Sequence, residues 1–309
     1  MKRLAHYFLI FVLVVLSTVV VLSFIFGRSL VHSFASDSTF ISRLDNLFNR
    51  SEPVKIEPRP EKTVRLIEGW TSRDISQYLE GQGIWQSEEF LEIAGFPQVD
   101  YDEETEMPPL KDYSKQFSLL EDKPSNYGLE GYLYPDTYRI YASSTPDELI
   151  VKMLTNLDKR LTPEMRAEIK RQGKTVYDIL TMASVLEKEA PINYATGDNH
   201  DAKIISGIFW DRIKIGQALQ SCASLAYILG VNKAQYSGED TEVESPYNTY
   251  KYRGLPRGPI SNPGILAIEA AIYPISTNYN YFLTPAGSNT IKYAATYEEH
   301  LRNKAEFLP

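Results

Sequence analysis

Two carboxylates, Glu187 and Glu189, stand at the end of an apolar run that covers residues 176–186. Apolar side chains recur at helical spacing on two faces of this run, which predicts a buried helix. Pro191 disfavours helical geometry at Ala190, so the helix should end near Glu189. The two carboxylates are roughly 200° apart around the axis, at about 100° per residue. One of them can therefore enter a site while the other is solvated or salt-bridged.

A carboxylate at the end of a buried helix has the surroundings of a general acid. The negative end of the helix dipole and apolar neighbours both favour the protonated form of a carboxylic acid. Acid catalysis near neutral pH requires that form. The alternative is a charged last turn that follows a core helix and has no catalytic role. The segment alone does not decide between the two.

The composition argues against several other kinds of site. The chain has 309 residues and a net charge of −8, which argues against nucleic acid as its main partner. It contains no CxxC, HExxH or phosphate-binding glycine loop, and its four histidines are scattered. We therefore predict neither a metal site nor a cofactor. The single cysteine, Cys222, excludes an internal disulfide and is predicted to be a small buried hydrophobic residue.

An N-terminal segment has the length and composition of a membrane span. Residues 7–26 carry no charge and would extend roughly 30 Å as a helix, the thickness of a bilayer core. Lys2 and Arg3 precede them, which predicts a cytoplasmic N-terminus. A cleaved signal peptide is the alternative, but its apolar region is normally only about 7–15 residues long. We predict a single transmembrane helix within residues 1–27, with the rest of the chain outside the cytoplasm.

The remaining chain is predicted to be an α+β protein in two lobes behind a juxtamembrane linker, residues 28–62. Residues 63–125 contain a strand at 63–67 and helices at about 72–80 and 87–94. This order is typical of a small LysM-like subdomain, which can bind glycan, or of a structural spacer. An acidic loop follows at 98–125 and is predicted to be a solvated hinge.

The larger predicted lobe, residues 126–309, is the catalytic domain. Its apolar periodicity and cap signals predict helices and one hairpin. The helices are expected at 146–161, 163–172, 202–213, 224–229 and 263–271, the hairpin strands at 279–284 and 290–294, and a terminal helix from Thr296 or Tyr297. The helix at 263 is expected to begin with Asn262 as its cap.

Several loop segments are rich in aromatic, amide, Gly and Pro residues. They read EGYLYPDTY at 130–138, LQSCAS at 219–224, SPYNTY at 245–250 and GLPRGPISNPG at 254–264. Tyrosine faces stack on sugar rings, and amide and carboxylate groups bind hydroxyl and acetamide groups. With ASVLEKEA at 183–190 and YFLT at 281–284, their order resembles the MltG (YceG-like) family, the membrane-anchored endolytic murein transglycosylases. The resemblance covers roughly residues 63–306.

The resemblance implies a peptidoglycan lytic transglycosylase. Such an enzyme cleaves the β-1,4 bond between N-acetylmuramic acid and N-acetylglucosamine and leaves a 1,6-anhydro end. It implies that Glu189, the second Glu of the ExE motif, is the catalytic acid. It also implies peptidoglycan glycan strands as substrate, proximity to peptidoglycan synthases and a role in ending strand elongation.

The loop residues are the predicted substrate contacts: Glu130, Gln220, Tyr247, Asn248 and Tyr250. For Glu130 a structural role within its own loop is an equal alternative, and for the tyrosines the alternative is packing beneath the cleft. Thr249 is predicted to stabilise its loop, and Asp136 to fix a turn.

One departure from the family pattern lies beside the expected site. Family members usually read close to LQSDPT where this chain has Cys222 and Ala223 after Ser221. The missing acid is expected to affect the rate of turnover more than the fold. The alternatives are therefore a catalytically weak glycan-binding scaffold of the wall-synthesis machinery, or a muramidase that uses Glu130 as a second carboxylate.

Overall fold

The computed structural model describes residues 60–104, 106–233, 235–285, 288 and 290–308. The predicted membrane span, residues 1–27, and almost all of the predicted linker lie outside the described residues. Within the described ranges, no helix is long and apolar enough to cross a membrane.

The N-terminal part of the described chain is a strand, two helices and a second strand. Strand β1 (Glu61–Arg65) leads to α1 (Ser72–Gly81) and α2 (Ser87–Ala94), and β2 (Thr137–Tyr141) pairs antiparallel with β1. The predicted strand and both helices are confirmed. Strand β2 was not predicted, and it lies beyond the predicted boundary at residue 125. The sheet that contains β1 is therefore completed by a strand from beyond the predicted boundary of the smaller lobe.

The long segment between α2 and β2 packs on the core and is not a solvated hinge. It includes a short 3₁₀ helix, Ser118–Leu120. Tyr113, Phe117, Leu119 and Leu120 are all buried in the main hydrophobic cluster. The predicted loop at residues 98–125 is confirmed, but its interpretation as a solvated hinge was wrong. Acidic and proline residues dominate the composition, whereas these four side chains decide where the segment lies.

The rest of the chain is mainly helical, so the α+β class is confirmed. The helices are α3 (Pro146–Arg160), α4 (Pro163–Arg171), α5 (Val176–Glu189), α6 (His200–Lys214), α7 (Cys222–Leu229), α8 (Gly238–Thr241), α9 (Ile265–Ile272) and α10 (Tyr297–Phe307). Strands β3 (Tyr281–Leu283) and β4 (Lys292–Ala294) form the predicted antiparallel hairpin. The short helix α8 was not predicted.

Helix α5 is the centre of this region. Its residues Ile179 through Leu186 are all buried, and it packs against α6, α7 and α9. Thr175 begins the helix with a capping box in which Asp178 takes part. Helix α9 begins two residues later than predicted, because Gly264 occupies the cap position and the Asn262 side chain is used elsewhere.

Gly207, inside α6, is expected to resist replacement although alanine is a better helix former. A Cβ at this position would lie 2.2 Å from the backbone oxygen of Ile275. We expect Gly207→Ala to destabilise the protein by about 1–3 kcal/mol, measured by urea unfolding. Gly81→Ala is the matched control, because nothing lies within 4 Å of a Cβ there. Equal stability of both variants with the natural chain would contradict the close approach.

Candidate active site

Glu189 is the last residue of α5, as predicted. Ala190 follows in an extended conformation and its N–H closes the helix onto the Leu186 oxygen at 2.9 Å. Glu187 and Glu189 face different surroundings, as their spacing on the helix requires.

The Glu189 carboxylate is held at the start of α7. Its Oε1 accepts hydrogen bonds from the Ser221 hydroxyl and, at 3.1 Å, from the backbone N–H of Ala223. The first N–H groups of a helix have no partner within the helix and suit an anion. Across the described part of the chain, Oε2 has no hydrogen-bond partner. One oxygen is therefore fixed and the other is available to a substrate.

The loop that carries Tyr247 to Tyr250 supports this arrangement. The Thr249 hydroxyl accepts the Ser221 N–H at 3.0 Å and lies 2.9 Å from the Ser224 hydroxyl. Thr249 is buried, so its predicted role in stabilising the loop is confirmed. Its contacts fix the residue that holds Glu189.

Glu187 anchors the end of α5 on its other side. Its Oε2 accepts from the Tyr194 hydroxyl at 2.6 Å and from the Gly264 N–H at 3.0 Å, at the start of α9. Burial raises the pKa of Glu187. A Cβ at Gly264 would lie 2.4 Å from the Tyr194 oxygen, so the contact requires glycine. Glu187 therefore fixes the position of the helix end from which Glu189 projects.

A cleft of about 510 Å³ opens beside Glu189. One wall is the start of α1, with Thr71, Arg73, Asp74 and Gln77. The other walls come from the end of α5, from α7 and from residues 230–233. Asp74 is occupied in capping α1, where its Oδ2 accepts from Thr71 N and Oγ1 at 2.8 Å.

Two of the predicted substrate contacts lie close to this site. Gln220 is exposed directly before Ser221, with a positive φ of 53° and its N–H bound to the Thr249 oxygen at 3.0 Å. The Tyr250 hydroxyl lies 3.1 Å from Cys222 Sγ, and Cys222 lines the cleft. For Gln220 and Tyr250, contact with substrate stays a prediction.

Tyr247 and Asn248 have positions that differ from those expected of substrate contacts. Tyr247 is buried and packs its ring 5.2 Å from that of Tyr227. Asn248 is 0% exposed; its Nδ2 donates to the Thr241 and Val243 oxygens, and its Oδ1 accepts from the Tyr250 N–H. Burial leaves both side chains no surface for a sugar. Their contacts hold the loop beneath the cleft instead.

Glu130 joins two distant segments. Its carboxylate accepts from Ser72 N at 3.0 Å, from Ser72 Oγ at 2.9 Å and from Asn262 Nδ2 at 2.8 Å. Of the two alternatives for Glu130, bonding within its own loop is wrong, and contact with substrate stays a prediction. It lines a separate cavity of about 20 Å³, beside four tyrosines including Tyr227 and Tyr247, and not the cleft at Glu189.

Glu130 gives a prediction for the pH dependence of stability. Burial raises its pKa from 4.5 to about 7, so the folded state favours the protonated form. The stability that protonated Glu130 contributes to the folded state is fully present below about pH 4.5 and is lost as the pH rises to about 7. We expect the natural chain to lose about 2–3 kcal/mol more than Glu130→Gln between pH 4.5 and pH 8.

Urea unfolding of both proteins across this pH range measures the difference. Gln is uncharged at every pH in this range, as the protonated acid is, and it keeps one acceptor oxygen beside an NH₂ group in place of the O–H. Other titrating groups are common to both chains and cancel. Parallel stability curves would contradict the raised pKa.

Cys222 is exposed on the cleft wall, so the prediction of a buried hydrophobic residue was wrong. It is the first residue of α7. Asp136 has the predicted turn contact, since its Oδ1 accepts the Thr137 N–H at 2.7 Å, and Oδ2 also accepts from Asn156.

Three residues of the site were missed. Ser221 looks like a helix cap, but its side chain makes no cap hydrogen bond and donates to Glu189 instead. Ala223 contributes only its backbone N–H, a group that every residue except proline has, so the residue type could not have indicated this role. Arg73 stands in the first turn of α1, where a cation is unfavourable to the helix dipole, and that placement was the available signal.

Among the residues that the structure describes, no group of three His, Cys, Asp or Glu could hold a metal ion.

A model of the YceG-like protein family matches residues 32–306. The chain belongs to the YceG-like family. A putative YceG-like protein from Listeria monocytogenes has a crystal structure that is similar, with a TM-score of 0.65 and 31% identity over 78% of this chain and 75% of that one.

Two relatives of this YceG-like chain are named endolytic murein transglycosylase. The protein from Streptococcus pneumoniae serotype 2 (strain D39) is 34% identical over 251 residues, which are 79% of this chain and 44% of that protein. The protein from Bacillus subtilis (strain 168) is 34% identical over 187 residues, 60% of this chain and 50% of that protein. The chain therefore spans about half the length of these relatives.

Proposed function

We propose that this chain is an endolytic peptidoglycan lytic transglycosylase with Glu189 as its catalytic acid and base. The names of its relatives support the reaction class. The observation that carries the proposal is the Glu189 carboxylate, which faces the cleft with one oxygen held and the other free of protein partners in the described chain. This is the arrangement that a single carboxylate needs to give and then take one proton.

The reaction then runs as an internal substitution. Protonated Glu189 gives its proton to the glycosidic oxygen, and the bond from that oxygen to the anomeric carbon of N-acetylmuramic acid breaks. The C6 hydroxyl of the same sugar attacks the anomeric carbon and gives its proton to the Glu189 carboxylate. The product has a 1,6-anhydro ring, the acid is regenerated and no water is consumed.

A muramidase is less well supported. Hydrolysis by most glycosidases uses two carboxylates about 5–10 Å apart. Asp74 and Glu189 are the carboxylates that line the cleft in the described chain, and Asp74 is engaged in capping α1. Glu130 is engaged with Ser72 and Asn262 instead.

A weakly active glycan-binding scaffold is the second candidate function. The exposed Cys222 on the cleft wall favours it, because family members usually carry an acid there. The free Oε2 of Glu189 favours the enzyme.

The cellular setting follows from the same proposal. Residues 7–26 would anchor the protein as a single-pass span with its N-terminus in the cytoplasm. The catalytic region would then face the wall outside the membrane, near peptidoglycan synthases. Cleavage of nascent strands there would end their elongation.

Mass spectrometry of peptidoglycan digested by the full-length protein in ¹⁸O-labelled water tests the reaction. A lytic transglycosylase gives anhydro-muramyl ends that are lighter by one water and carry no label. A muramidase gives reducing ends with one labelled oxygen. Labelled reducing ends would overturn the proposal, and folded protein that binds strands without product would favour the scaffold.

A further inference from the structure

Two cations line the cleft that make no ion pair and no side-chain hydrogen bond within the described part of the chain. Arg73 projects from the first turn of α1, and Lys188 precedes Glu189 at the end of α5. Both side chains are exposed, and within the described residues neither has an ion-pair or side-chain hydrogen-bond partner. Lys233, which also lines the cleft, is instead paired with Asp240 at 2.7 Å. Arg73 and Lys188 are therefore free to bind an anion.

The backbone at Arg73 is held in place through its neighbour Ser72. The Glu130 carboxylate binds the backbone N–H and the hydroxyl of Ser72, which holds the first turn of α1 against the catalytic region. Gly230 ends α7 with a φ of 66°, and a Cβ there would lie 3.9 Å from Arg73 Nη1. Arg73 does not stabilise its own helix, because a cation at a helix N-terminus opposes the dipole.

The charge of the cleft differs from that of the whole chain. The protein carries a net charge of −8, yet two cations, Arg73 and Lys188, line the cleft beside Glu189. An anionic substrate would be repelled by the acidic surface of the protein unless cations at the cleft offset the charge. An arginine fork and a lysine ammonium are the side chains that best bind carboxylate and phosphate oxygens.

We propose that Arg73 and Lys188 form an oxyanion subsite that selects glycan strands bearing peptide stems over naked strands. The inference rests on the proposed function, because it assigns part of the substrate to the same cleft. The stems hang from N-acetylmuramic acid, the sugar on one side of the scissile bond, and they carry free carboxylates. Phosphate attached to a strand offers the same chemistry, and the experiment separates the two sources.

Equilibrium binding of labelled strands to the full-length Glu189→Gln protein tests the subsite without turnover. Three ligands of matched length are compared: strands with peptide stems, naked strands, and naked strands that carry phosphate. We expect stems to tighten binding by at least about tenfold. In an added Arg73→Gln/Lys188→Gln double substitution, this preference should fall to near one.

The matched control is Arg302→Gln/Lys115→Gln, which removes the same two charges at exposed positions that do not line the cleft. It should keep the preference. Tighter binding of the phosphate strands alone, lost in the cleft variant, would keep the oxyanion subsite and make phosphate the source. Equal binding of all three ligands, or a preference that survives the double substitution, would overturn the subsite. Failure of the transglycosylase itself would appear separately, as absent anhydro products in the digestion assay.

Discussion

Replacing Glu189 by Gln is expected to lower the turnover number for glycan cleavage by about 10³-fold or more, with little change in the affinity for strands. General acid–base catalysis supplies about 10²–10⁴-fold, and in the proposed reaction one group has both roles. An amide cannot give the proton that the leaving oxygen needs. Rates of anhydro-product formation and strand binding, measured on the same preparations, test both halves of the expectation.

The Gln side chain should leave the fold unchanged. Its Oε1 can still accept from the Ser221 hydroxyl and the Ala223 N–H, so the contact to the start of α7 is kept. Glu88→Gln is the matched control, because Glu88 is exposed on α2 away from the cleft. It should keep full activity.

The same variant separates a catalytic from a structural Glu189. If Glu189 served only to hold α7, Gln would replace it with nearly full activity, since both hydrogen bonds survive. A variant that keeps more than about a tenth of the rate would therefore assign the proton transfer to another group.

The helices were predictable because their signals are local. Thr71 with Asp74 and Thr175 with Asp178 form capping boxes that can be read from spacing alone. Pro191 likewise marked the end of α5, and so the position of Glu189 as the last helical residue.

Non-local pairing was not predictable in the same way. Strand β2 pairs with β1 across more than 70 residues, and no local pattern indicates that register. The Ser221 and Ala223 contacts to Glu189 also bridge segments more than 30 residues apart. For Tyr247 and Asn248 the residue types were right for sugar binding, but burial depends on how the loop packs.

Asn262 shows how a local reading can give the right position and the wrong role. It precedes Pro263 and looks like a helix cap, yet Gly264 is the cap of α9. Its Oδ1 accepts the N–H groups of Gly131 at 2.8 Å and Leu133 at 3.0 Å. Its Nδ2 donates to the Trp70 oxygen at 3.0 Å, besides the bond to Glu130. One buried amide thereby joins three segments: its own, the one that carries Trp70, and residues 130–133.

Asn262→Ala is therefore expected to destabilise the protein by about 3–5 kcal/mol. The change leaves the Gly131 and Leu133 N–H groups buried without an acceptor, at about 1–3 kcal/mol each, and opens a small cavity. Urea unfolding measures the effect, with the exposed Asn232→Ala as a control that should lie within about 0.5 kcal/mol of the natural chain.

The size of the loss separates the two roles of Asn262. Loss of a helix cap costs typically about 1 kcal/mol, so a value near that would restore the capping role and contradict the network. A larger loss should also reduce activity in the folded protein, because the segment that carries Asn262 holds α5. The Ile260 N–H donates to the Ser184 hydroxyl at 2.9 Å, and the Gly264 N–H binds Glu187. Loosening this segment would release the end of the helix that presents Glu189, which links the stability of the loop to the catalytic rate.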